Sequence, residues 1–96
     1  MQIPLVEIYE DYGSQADVHK FHLRQVCVNP DHVVFLQEDE RLKLSFQNDK
    51  NKQLFPTDLD SKQEFTQLNL IGGISLTVVG QLMQIVEKLH GKRINR

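Results

Sequence analysis

Histidine and cysteine side chains cluster early in this chain, with His19, His22 and Cys27 close enough in sequence to suggest a metal centre, and Cys27 with His22 or His32 an activated thiol. A zinc site needs ligands that converge on one point and a second shell to orient them. If residues 18–28 form a strand, His19 and His22 fall on opposite faces, which disfavours convergence. Cys27 beside His22 or His32 would be a nucleophile and its base. Its neighbours Val26 and Val28 favour instead a small packed thiol. Cys27 is the only cysteine, so the chain can form no internal disulfide and no multi-cysteine zinc site.

The acidic residues also fail to form a motif. Asp58, Asp60 and Glu64 lack the central glycine and the late glutamate spacing of a calcium loop. Glu38, Asp39 and Glu40 are consecutive, whereas acid and base carboxylates must face each other across a cleft. Gly72-Gly73 is too short to announce a phosphate-binding loop. No catalytic residue, metal ligand or cofactor is therefore assigned, and a ligand-binding or enzymatic site around Cys27 stands as an alternative.

Leu54-Phe55-Pro56 is the segment with a partner-binding reading, as an apolar hook on a polar loop that could dock in a groove of another chain. The competing reading folds Phe55 back over an open end of the protein's own sheet. An exposed strand edge is the other contact candidate, able to add a strand of a partner or of a second copy, unless Pro4 and charged residues protect it. Lys88, Lys92, Arg93 and Arg96, with His90 among them, suit the negative end of a helix dipole better than a nucleic acid, because thirteen acidic against eleven basic residues leave a net charge of -2.

These residues need elements to hold them. Composition at the globular average and a length of 96 residues point to one domain spanning 1–96 with one core. Ile3 to Tyr9 is β-prone around Pro4, which suits an edge or first position. Glu10 to Asp17 supplies turn chemistry, notably Gly13, Ser14 and Asp17. Val18 to Val28 alternates, with its second half apolar enough for burial on both sides. Asn29-Pro30-Asp31-His32 is a turn, and a hairpin if both flanks are strands. Val33 to Gln37 reads as a strand, and Leu42, Leu44 and Phe46 alternate with polar residues as another.

Residues 48–64 read as a long loop or insertion. Gly72-Gly73 permits a tight hairpin between Phe65 to Ile71 and Ile74 to Val79. Leu82, Ile85, Val86 and Leu89 fall on one face of a helix that Gly91 can end. The expected fold is α+β: a mainly antiparallel meander of five or six strands with one C-terminal helix packed on it. The longest apolar run is too interrupted to span a membrane, and Met1 to Glu7 has neither the basic start nor the apolar core of a signal. A cytoplasmic protein is expected.

Val28-Asn29-Pro30-Asp31-His32-Val33, then Leu68 to Val79 through Gly72-Gly73, then Leu82 to Leu89 resembles the small FlbD/SwrD-type flagellar accessory proteins. The resemblance covers about half the chain. It implies an Asn-containing turn before a strand, a glycine hairpin, a terminal helix, and a motility-associated role without a catalytic centre. The N-terminal strand and Leu42 to Glu64 depart from that pattern. The residues themselves favour a noncatalytic protein association or self-association module.

Overall fold

The computed structural model describes residues 1–11 and 20–91; the turn residues Gly13, Ser14 and Asp17, His19, and the basic Lys92, Arg93 and Arg96 lie outside the described residues. Five antiparallel strands form one sheet: β1 (Ile3–Asp11), β2 (Lys20–Val28), β3 (Val33–Glu38), β4 (Phe65–Leu70) and β5 (Ile74–Val79), in the order β2-β1-β5-β4-β3. Two helices, α1 (Glu40–Gln47) and α2 (Leu82–His90), complete the α+β fold.

Strands β3, β4 and β5 run as consecutive antiparallel neighbours. The β4–β5 turn places Gly72 and Gly73 at φ 90° and 78°, values that favour glycine over any residue with a side chain. Leu68, Val78, Leu70, Leu76 and Leu36 share one face of this unit, where Ile85 and Leu89 of α2 pack. Phe65 and Val79 occupy the other face, under Leu42 and Phe46 of α1 and Phe55 of the following segment. The sheet is thus apolar on both sides, and each helix covers one of them.

The β1–β2 ribbon supplies the remaining cover by changing face midway. Ile3, Leu5, Val26 and Val28 pack with the α2 core, whereas Ile8, Phe21 and Leu23 pack with the α1 core. In a strand those two groups point to opposite sides, since alternate residues face alternate ways. The ladder from Ile3↔Val28 to Asp11↔Lys20 continues unbroken through the change, so twist accomplishes it without a bulge. The sequence expectation that the second half of β2 is buried on both sides is thereby corrected: Val26 and Val28 face inward while Cys27 is exposed.

Asn29 to His32 does not close a hairpin, because β2 and β3 lie at opposite edges of the sheet. Asn29 still performs its turn role, its Oδ1 accepting the Asp31 N–H at 2.9 Å ahead of a 3-10 turn at Pro30–His32. Five residue steps from Val28 to Val33 reach at most ~18 Å, while crossing four strand spacings of a flat sheet needs ~19 Å. The short connection therefore forces the sheet to curl. Pro4 sits within the part of β1 that pairs with β2 alone, a locally open edge that tolerates its missing N–H.

A further correction concerns Leu42, Leu44 and Phe46, which lie on helix α1 and not on a strand. Asp39 Oδ1 accepts the Leu42 N–H at 3.0 Å, capping the first turn, and its Oδ2 accepts the Thr77 hydroxyl at 2.9 Å, tying that turn to β5. Helical spacing turns Leu42 and Phe46 inward together and leaves Leu44 65% exposed. Within 48–64, a 3-10 helix occupies Asp49–Leu54, its start capped by Asn48.

Between β5 and α2, Gly80 has φ 139°, and a Cβ there would approach Ile85 Cδ1 to 2.7 Å. The Gly80 N–H donates to the Glu64 carbonyl and its carbonyl accepts the buried Thr66 hydroxyl, both at 2.9 Å. Replacing Gly80 with Ala should cost about 1–3 kcal/mol of stability. Urea denaturation monitored by circular dichroism checks this, and an unchanged midpoint would show that the loop can relax.

Candidate functional site

The proposed hook residues come first. Phe55 is 5% exposed; its ring stacks on Phe21 with centroids 4.4 Å apart and meets Phe46 edge-on at 5.1 Å. Phe46 in turn meets Phe65 edge-on, so the loop delivers Phe55 into an aromatic cluster worth more than its area alone. Leu54 and Pro56 are half-buried beside it. Phe55 thus takes the second of the two sequence readings, folded back over the protein's own sheet, where with Phe46, Pro56 and Leu59 it borders a groove of about 370 Å³.

The histidines and the thiol are distributed as follows. His22 lies on β2 with its Nε2 3.8 Å from Asp11 Oδ2 and its ring near Tyr9. Cys27, five residues along the same strand, has the opposite facing, so the two cannot form a nucleophile and base pair. His32 ends the 3-10 turn, where its carbonyl accepts the Ile71 N–H at 2.9 Å. Among the described residues no three His, Cys, Asp or Glu side chains converge to hold a metal ion.

Cys27 and His32 do border one cavity, of about 540 Å³, and its construction is informative. Three consecutive residues of β2, Val26, Cys27 and Val28, line it opposite three consecutive residues of β5, Ile74, Ser75 and Leu76. Consecutive strand residues send their side chains to opposite faces, so main chain as well as side chains can border the cavity. Among the described residues, β5 is paired on its β1 side only at Thr77 and Val78. Strand β2 pairs with β1 alone. The cavity is a slot that lies between the end of the ribbon and the stretch of β5 beyond its pairing with β1.

Glu7 and Arg24, opposite one another on the ribbon, furnish the charge in the slot wall. Arg24 Nε donates to Glu7 Oε1 at 2.7 Å, and its guanidinium lies 4.3 Å from the centre of the Tyr9 ring. The carboxylate is sheltered, with 12% of the side chain exposed, while Arg24 is 57% exposed. The hydrogen bond and charge of Glu7 hold the Arg24 pKa above its ordinary value, so the cation persists at every accessible pH. Leu70, Leu76, Val26 and Val28 give the slot apolar walls.

Sequence reasoning missed this slot because it arises from pairing between β1 and β5, whose partners Glu7↔Val78 and Ile8↔Thr77 are far apart in the chain and meet only through the strand order. One local signal was present: Ile3-x-Leu5-x-x-Ile8 and Phe21-x-Leu23-x-x-Val26 both slip their alternation by one residue, as strands that change face must.

No family model matches the chain, and neither the curated proteins nor the solved structures contain a significant match to it.

Two measurements check the geometry. Replacing Phe55 with Ala should lower stability by about 3–5 kcal/mol, seen as an early urea midpoint; an intact midpoint would return Phe55 to the surface. A thiol reagent should titrate Cys27 fully without denaturant, and protection until unfolding would mean that β2 is covered.

Proposed function

We propose that this chain is a noncatalytic association module that takes up an extended segment of a partner protein, or of a second copy, as an added strand. The observation that carries the reading is the slot, where Ile74–Leu76 of β5 has no ladder partner among the described residues on its β1 side. Unpaired main chain flanked by apolar side-chain pockets is the chemistry of strand addition, in which hydrogen bonds supply affinity and alternate side chains supply selectivity. The other open edge is less suited. Strand β3 carries a register shift between Val33 and Phe35 that leaves Val34 63% exposed, and a bulge of that kind interrupts pairing.

The apolar contact in this mechanism shifts from Phe55 to the slot walls. A cytoplasmic setting belongs to the same reading, since an exposed, unpaired Cys27 suits a reducing compartment. No described helix is long and apolar enough to cross a membrane. A motility-accessory role, as the FlbD/SwrD-type resemblance implies, is a second reading, favoured by the order of the Asn29 turn, β3, the β4–β5 glycine hairpin and α2.

Titrating the isotopically labelled chain with an alternating valine–threonine peptide, its ends blocked, tests strand uptake. Amide shifts should concentrate at Ile74–Leu76 and Val26–Val28, with slowed hydrogen exchange there. Shifts confined to β3, or none, would overturn the proposal; sedimentation over a wide concentration range would show whether a second copy fills the slot instead.

A further inference from the structure

The slot has one charged group that faces outward, and its surroundings say what it would meet. Arg24 is fixed on two sides: its Nε edge is engaged by Glu7 and its flat face lies against Tyr9. A guanidinium held in place by a hydrogen bond and a ring has already lost much of its rotamer freedom, so a new partner bonds to it at reduced entropic cost. Its Nη groups remain to donate, and they form the fork geometry that matches a carboxylate. Glu7, the only carboxylate among the described residues bordering the slot, is largely covered by this arrangement.

Resting on the strand-uptake reading, we infer that the slot prefers an extended peptide carrying an acidic side chain, whose backbone pairs along Ile74–Leu76 while its carboxylate binds the exposed edge of Arg24. The apolar residues of such a peptide, alternating with the acidic ones, face Val26, Val28, Leu70 and Leu76. The binding face of Arg24 is the same face of the ribbon that carries Leu5, Val26 and Val28, because residues 24, 26 and 28 alternate together. Charge and apolar contacts therefore approach the ligand from one side.

The test uses the full chain and two probes with blocked ends, an alternating valine–glutamate peptide and its valine–lysine counterpart, followed by amide shifts and calorimetry. The glutamate peptide should bind about tenfold tighter than the lysine peptide, the usual scale of one charge-assisted hydrogen bond. Its advantage should shrink as salt is raised. Arg24→Gln should abolish the difference, whereas Glu7→Gln, which leaves the guanidinium uncompensated, should preserve or enlarge it. Equal affinity for both peptides at the slot amides, or a preference unchanged by Arg24→Gln, would overturn the acidic preference and leave strand uptake standing. Failure of both charged peptides and of the neutral valine–threonine peptide to move those amides would instead overturn strand uptake itself.

Discussion

A three-stranded β3–β4–β5 unit that is apolar on both faces cannot stand in water with one helix, and the rest of this structure follows from how the second face is covered. Leu68 and Val78 need shelter on one side, Phe65 and Val79 on the other. Each helix is short, α1 spanning Glu40–Gln47 and α2 Leu82–His90, so neither can roof a whole sheet face. The β1–β2 ribbon makes up the deficit on both sides at once by rotating its apolar residues from one face to the other near Glu7 and Arg24. Twist within an unbroken ladder achieves this more cheaply than a bulge, which would leave main-chain groups unpaired at the point of crossing.

That solution has a geometric consequence. A ribbon that crosses the sheet edge can pair with β5 only where the two meet, and the contact is limited to Glu7↔Val78 and Ile8↔Thr77. On either side of the crossing both strands keep free edges. The curl imposed by the short Asn29–His32 link brings the end of β2 round to the turn of the β4–β5 hairpin, and the unpaired stretch of β5 then borders the slot. Core cover and open main chain thus share one cause.

Much of this fold was legible locally. The glycine hairpin, the apolar stripe of α2, its termination at Gly91 and the strands around them have single-element signatures that tertiary context did not override. The α1 segment was misread because Leu42, Leu44 and Phe46 satisfy a period of two and, through residues 42 and 46, a helical spacing of four. The deciding signals were Asp39 followed by Glu40, a cap with an acid in the first turn, and the absence of any β-branched residue from Glu40 to Gln47. Phe55 was ambiguous for a different reason: whether a loop aromatic protrudes or folds back depends on an acceptor cluster, here Phe21 and Phe46, assembled from distant segments. The Asn29–His32 turn was recognised as a turn, but a turn carries no information about which strands it joins once the sheet can curl.

The same logic bears on how a slot of this kind could discriminate. Main-chain pairing is available to any extended segment, so β5 and β2 edges alone would bind promiscuously, and apolar walls select only for alternation. Selectivity requires a group whose interaction changes sign with the ligand. Arg24 is the exposed charged group among the described residues bordering the slot, and its position at the face change is not incidental to the fold. There the exposed Arg24 sits between the two apolar halves and shelters Glu7 beside it. Glu7, opposed to Val78 and largely covered, needs the guanidinium as its partner. The interaction that makes the crossing tolerable therefore also leaves a cation presented beside unpaired strand edge.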